Sequence, residues 1–179
     1  MGIRISRRAM MAAVPVLVAV LGTGLGASGT VAVAAPAPVT DDYAAIQEFK
    51  TSNEAGWFYT LSQPEADSAV HQHGFTATEP IGSMHTKAGP GTVAVHRLRL
   101  AVGGPSYMLS VSANEIGNPK FVDEGVVGHV DSVPQPGQTR LLRFSKDNKW
   151  RVLSDHPVNI AGMFQAGYSL DGPIGWYRS

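Results

Sequence analysis

The stretch Gly167-Tyr168-Ser169-Leu170-Asp171-Gly172-Pro173-Ile174-Gly175 has two relatives upstream. They are Gly74-Phe75-Thr76-Ala77-Thr78-Glu79-Pro80-Ile81-Gly82 and Lys120-Phe121-Val122-Asp123-Glu124-Gly125-Val126-Val127-Gly128. Each has an aromatic second residue and a glycine eight positions after its start. The closing glycines stand at 82, 128 and 175, so the steps are 46 and 47 residues. A near-fixed period of this size points to repeated supersecondary units.

Working outward from these stretches, each is preceded by the same succession of patterns. The first is a strand, Ile46-Gln47-Glu48-Phe49, Val95-His96-Arg97-Leu98 or Leu141-Leu142-Arg143-Phe144. In the second of these, Arg97 and Arg99 alternate with Leu98 and Leu100, the period of a half-buried strand. Turn-forming residues follow at Ser52 to Gly56, Gly103-Gly104-Pro105 and Lys146-Asp147-Asn148, which predicts hairpins. The returning strands are Trp57 to Ser62, Tyr107 to Ser112, and Trp150 to Ser154, the last one residue shorter.

Ser62 and Glu65, like Ser112 and Glu115, have the Ser-x-x-Glu spacing of a capping box, so a helix start is expected after each. Ser154 has Pro157 at the glutamate position, and Asp155 is expected to favour the positive helix end instead. The first helix is expected from about Gln63 to His73, with Ala66, Ala69 and Val70 on one face and Gly74 as its stop. Asn118-Pro119 limits the second to a single turn. Val158, Ile160, Ala161, Met163 and Phe164 mark the third. The expected fold is mostly β with short helices (α+β): three β-hairpin–helix–strand repeats in a pseudo-threefold, β-trefoil-like arrangement. The units are about 44–92, 93–139 and 140–179, within a single domain of residues 44–179.

Residues 1–34 read as a signal peptide. Arg4, Arg7 and Arg8 precede an apolar run from Met10 to Leu21, and Ala32-Val33-Ala34 is a cleavage site. Ser6-Arg7-Arg8-Ala9-Met10-Met11 also resembles a twin-arginine signal, so both export routes stay open. Pro36 and Pro38 mark residues 35–43 as a linker. Removing residues 1–34 takes away three arginines and no acid, so 14 Lys+Arg become 11 against 14 Asp+Glu, a formal charge of −3. That balance supplies no phosphate-tracking field, and no nucleic-acid partner is expected. The absence of cysteine excludes disulfides and a lipidated-cysteine anchor. No stable membrane anchor is expected, and the product should be extracellular.

On these residues the chain resembles a family of secreted, three-repeat domains of unknown function found across bacteria. Arg143-Phe144, Trp57-Phe58-Tyr59-Thr60-Leu61-Ser62, and Asn118 to Gly128 with its Phe-x-x-Glu-Gly core match the family's strand, hairpin and closing segment. Glu79-Pro80 and Gly172-Pro173 replace Glu-Gly in the other two units. The resemblance implies an appendage of secreted enzymes or surface proteins, with a role in binding or attachment.

Residue chemistry offers no convincing catalytic set. Gly167-Tyr168-Ser169-Leu170-Asp171 lacks the last glycine of a nucleophile elbow. Asp123, Glu124 and Asp171 are the acids to weigh for glycoside hydrolysis, and each also suits a polar strand position. His71 and His73 are two apart and so face different ways on a helix. His129 stands at the repeat position of Ser83 and Trp176, so the repeat does not favour a histidine site. No metal, cofactor or catalytic residue is expected. Phosphate-cradling loops need their glycines before a helix, whereas Gly167 follows one. The aromatics at strand ends, Trp57, Tyr59, Tyr107, Trp150 and Trp176, are the candidate ligand-binding residues, because flat rings beside polar groups suit sugars. For Phe75, Phe121 and Tyr168 a packing role is expected. The expected function is a secreted non-catalytic binding module for carbohydrate or cell-envelope material. A small extracellular hydrolase and a protein-binding module or inhibitor of a secreted enzyme are the alternatives.

Overall fold

A computed structural model describes residues 42–179, and the stretch read as a signal peptide lies outside them. The chain runs β1 (Tyr43–Ala45), β2 (Gln47–Lys50), β3 (Trp57–Thr60), α1 (Gln63–His71), β4 (Thr76–Ala77) and β5 (Ser83–His85). It continues through β6 (Thr92–Leu100), β7 (Tyr107–Ser110), α2 (Ala113–Ile116) and β8 (Phe121–Asp131). The last elements are β9 (Gln138–Lys146), β10 (Lys149–Ser154), α3 (Pro157–Gln165) and β11 (Ser169–Arg178). The domain is mostly β with three short helices, and β1 begins at Tyr43, inside the stretch read as linker. No helix among the described residues is long and apolar enough to cross a membrane.

The expected hairpins form where turn chemistry placed them. Asp147 and Asn148 both take positive φ, as a tight two-residue hairpin demands. The three hairpins are in the same register: Glu48 faces Tyr59, Arg97 faces Leu109, and Arg143 faces Val152. Trp150 therefore corresponds to Trp57 and Tyr107, and Ser154 corresponds to Leu61 and Val111. The third helix starts two residues later than the serine spacing suggests, with His156 as its N-cap. Asp155 is engaged elsewhere, by Thr139 at 2.6 Å and Arg140 at 3.1 Å.

The helix starts differ from the capping boxes expected. Ser62 Oγ accepts from the Glu65 amide at 3.5 Å, whereas Ser112 makes no side-chain cap. The hydroxyls of Thr60 and Ser110 instead accept the amides of Ser62 and Ser112, at 2.9 and 3.0 Å. The second helix is a single turn, as the Asn118-Pro119 break predicts.

β10, β9, β11, β5, β8, β6 and β7 lie in that order in one sheet, with β1 added on β5; β3, β2 and β4 form a second sheet. Three short bridges tie β5, β8 and β11 into a cycle. Ser83 faces Arg178, Trp176 faces Asp131, and His129 faces His85. The closing glycines that first revealed the period sit just before these bridges, where chain segments approach closely. A Cβ on Gly128 would lie 2.6 Å from Met84 Sδ, and one on Gly175 would overlap the Val130 side chain.

The central core is built from Ile46, Tyr59, Met84, Val95, Leu109, Val130, Leu141, Val152, Ile174 and Tyr177, with Trp57 at its edge. Phe49, Phe58 and Phe75 form a second cluster with Ala66 and Ala69 of α1. Leu142 and Phe144 pack with Met163 of α3. The expected apolar face of α1 is thus right for its two alanines, while Val70 is 39% exposed.

Candidate ligand-binding site

The most developed polar feature is the side chain of Arg97, which projects from β6 into the start of α1. Its Nη1 and Nη2 donate to the two carboxylate oxygens of Glu65 at 3.0 and 2.7 Å, a bidentate pair. Nη1 also donates to the Tyr59 carbonyl at 2.9 Å, and Nε donates to Glu124 at 2.9 Å. Glu124 takes a second guanidinium, that of Arg99, at 3.0 Å. The β6–β8 ladder shifts register opposite Arg97, so β8 bulges and turns Glu124 toward it.

Two clefts flank this network. One, of about 350 Å³, lies between the end of β3 and the bulge of β8, and Leu61, Thr86, Val126 and Val127 line it. The other, of about 420 Å³, is floored by Phe58, Phe75 and Tyr107 and rimmed by Ser68, His73 and Arg99. Both share Glu65, Arg97 and Glu124 as a wall. With Arg99, which also binds Glu124, two carboxylates stand against two guanidiniums and the network is close to electrically neutral, while its oxygens and N–H groups line concave space.

Arg143 repeats the arrangement on β9. It holds Glu115 bidentately at 2.8 and 2.7 Å, the Leu109 carbonyl at 3.1 Å and Asp171 at 2.9 Å. The corresponding position on β2 carries the opposite charge. Glu48, nearly fully buried, accepts from Arg151 Nε and Nη2 at 3.1 and 3.0 Å and from Thr78 Oγ1 at 2.8 Å. Tyr59 Oη also donates to Glu48, at 3.4 Å, and accepts the Val152 amide at 3.1 Å.

The Arg97 and Arg143 hydrogen bonds hold the Glu65 and Glu115 carboxyls below their ordinary value of 4.5. Because folding favours their ionised forms, this stabilisation is complete above pH 4.5 and is lost as the pH falls through the lowered values. The thermal midpoint is therefore expected to drop as the pH is taken from about 5 downward. A Glu65→Gln/Glu115→Gln variant should start lower and fall less steeply. Parallel pH profiles for the two proteins would contradict the assignment.

The aromatic residues selected from the sequence are not gathered at one place. Tyr59 is 1% exposed, and burial pushes its phenol well above the ordinary value. Trp57 and Trp150 are 8% and 7% exposed. Trp57 is covered by the Arg151 guanidinium at 4.0 Å and donates through Nε1 to Tyr168 Oη at 3.4 Å. Trp150 packs edge-on against Phe121. These three rings fill the core and present no open face for stacking. Trp176 is half-buried, with Arg140 5.6 Å from its ring. Tyr107 alone of the five lines the clefts beside Arg97.

Each acid weighed for hydrolysis is committed to a partner. Asp123 accepts from the Gly125 amide and contacts His96, Glu124 binds Arg97 and Arg99, and Asp171 binds Arg143 and Ser145. His71 Nδ1 contacts the Asp67 carbonyl, and no cluster of three metal-ligating side chains occurs among the described residues. The groups that sequence reasoning missed are Arg97, Arg99 and Glu65. Arg97 was legible only as part of a strand pattern, and Glu65 only as a helix cap.

No curated protein and no solved structure matches the chain. A family model described as a domain of unknown function, DUF5648, matches residues 45–178. That span takes in all three hairpins and their ion-pair networks, and the chain belongs to the DUF5648 family.

Proposed function

We propose that this is a secreted, non-catalytic binding module that takes carbohydrate or cell-envelope glycan in the clefts flanking Arg97. The observation that carries the reading is the wall of Glu65, Arg97 and Glu124 shared by the two clefts, joined in one of them by Arg99 above Tyr107. Its charges are mutually neutralised, so it offers a charged ligand little attraction. It retains carboxylate oxygens that accept, and guanidinium N–H groups that donate, for a ligand rich in hydroxyls. The hydrolase alternative needs an acid kept protonated near neutral pH, whereas Glu65 is held in the opposite direction. Secretion rests on the basic and apolar pattern of residues 1–34.

The framework we propose for this module is three hairpin–helix–strand repeats about a pseudo-threefold axis, β-trefoil-like in its symmetry. Equal hairpin registers and the cycle of bridges among β5, β8 and β11 support it. So do the corresponding positions of Arg97, Arg143 and Glu48.

The test is a glycan array with the exported form of the protein, followed by titration of whichever glycan binds. Arg99→Ala, which removes a half-exposed guanidinium from the cleft, is expected to weaken binding about tenfold, the loss of one charge-assisted hydrogen bond. A flat array with the fold intact would refute the glycan reading and favour the protein-binding alternative. Release of product from a bound glycan would favour the hydrolase.

A further inference from the structure

A third cleft pairs with the one between β3 and the β8 bulge, the two being the second and the first of one construction at corresponding positions. It has a volume of about 410 Å³ and lies between β2, the stretch that follows β4, the end of β10 and the start of α3. In the first cleft the buried central group is Arg97 and the strand-end residues are Thr60 and Leu61. In the second these positions are Glu48, Leu153 and Ser154. Val126 and Val127 of the closing stretch become Pro80 and Ile81, and Glu124 becomes Thr78. The third residue after each helix N-cap lines its cleft in both: Glu65 after Ser62, and Asn159 after His156.

The shape is kept and the polarity is exchanged. The first cleft has a cation at its centre and a carboxylate at the helix start. The second has a carboxylate at its centre, engaged by Arg151, and an amide at the helix start, whose Nδ2 donates to Ser154 Oγ at 2.7 Å. In either cleft a ligand group meets both guanidinium donors and carboxylate acceptors, at exchanged places. A hydroxyl both donates and accepts. The apolar pairs Val126–Val127 and Pro80–Ile81 supply each cleft with a surface for the C–H face of a sugar ring.

We propose that the Glu48–Asn159 cleft is a second seat for the same chemical class of ligand, a polyhydroxylated glycan, and that the module is bivalent. This rests on the reading of the Arg97 clefts as a glycan seat. On a polymer the second contact becomes intramolecular, so weak single seats add up to firm attachment.

The experiment is an amide-resolved NMR titration of the exported protein with soluble cell-wall glycan fragments released by a muramidase. Binding to the insoluble wall is measured in parallel. The expected result is saturable shifts around both Val127 and Ile81, with two sites per molecule. Pro80→Trp fills the second cleft and Val126→Trp the first. Each should abolish the shifts of its own cleft only, and each should weaken attachment to the insoluble wall at least tenfold. Shifts confined to the Arg97 side, with Pro80→Trp indistinguishable from the parent, would overturn the second seat and leave the first. Shifts confined to the Ile81 side would overturn the Arg97 reading and bivalency together. Shifts at neither cleft of the unaltered, folded protein would overturn both, without depending on how either variant folds.

Discussion

Arg97→Ala is expected to lower the unfolding free energy by about 3 kcal/mol, the cost of removing one partner from a buried charge network. The side chain is enclosed, and four hydrogen bonds end on it. Truncation strands the Tyr59 carbonyl in the interior and leaves Glu65 and Glu124 facing one another's charge across an emptied cleft. Arg97→Lys should recover only part of the loss, because an ammonium cannot serve Glu65 bidentately while reaching Glu124. Glu65 is more exposed than its partner, so Glu65→Gln should cost less, about 1 kcal/mol. Chemical denaturation of the three variants checks the order. Equal losses for Arg97→Ala and Glu65→Gln would show that the guanidinium's other two partners contribute nothing.

Gly82→Ala is expected to be at least as damaging, at about 3–4 kcal/mol from overpacking combined with backbone strain. Gly82 has φ +147°, and a Cβ there would overlap the Arg178 carbonyl oxygen and stand 2.5 Å from Tyr177 Cε2. The oxygen belongs to the backbone of β11 and cannot turn aside, so β5 and β11 would have to separate. Gly137 is the matched control. Its φ is +79° and nothing lies within 4 Å of an added Cβ, so Gly137→Ala should cost only about 1 kcal/mol, the conformational share alone. Similar unfolding midpoints for the two variants would contradict the close approach at Gly82.

Part of this architecture is legible in the sequence. The closing glycines were visible as a period, and Asp147-Asn148 and Asn118-Pro119 announced a turn and a helix break, because these effects act within a few residues of the chain. The fate of Glu65 and Glu115 was not visible. Their spacing from Ser62 and Ser112 fits a local cap, yet an arginine from the following hairpin takes each carboxylate. A long-range partner outcompetes a local one here because the guanidinium is itself enclosed and must be neutralised. The different settings of the aromatic candidates were hidden for the same reason. Trp57 and Tyr107 occupy one hairpin position, but Arg151 and Tyr168 cover the first, whereas the second opens beside Arg99. The charge reversal at Glu48 was in plain sight as a residue type. Its meaning needed Arg151, which lies far along the chain.

The cycle of bridges among β5, β8 and β11 bears on the time course of folding. Each hairpin can zip on its own, since its strands are neighbours in sequence, but Ser83 meets Arg178 only when segments 95 residues apart come together. Early hairpins must therefore wait, partly formed, for a late and entropically costly closure. A molecule joined in this way reaches its native state slowly, and it resists local opening once the last strand has seated.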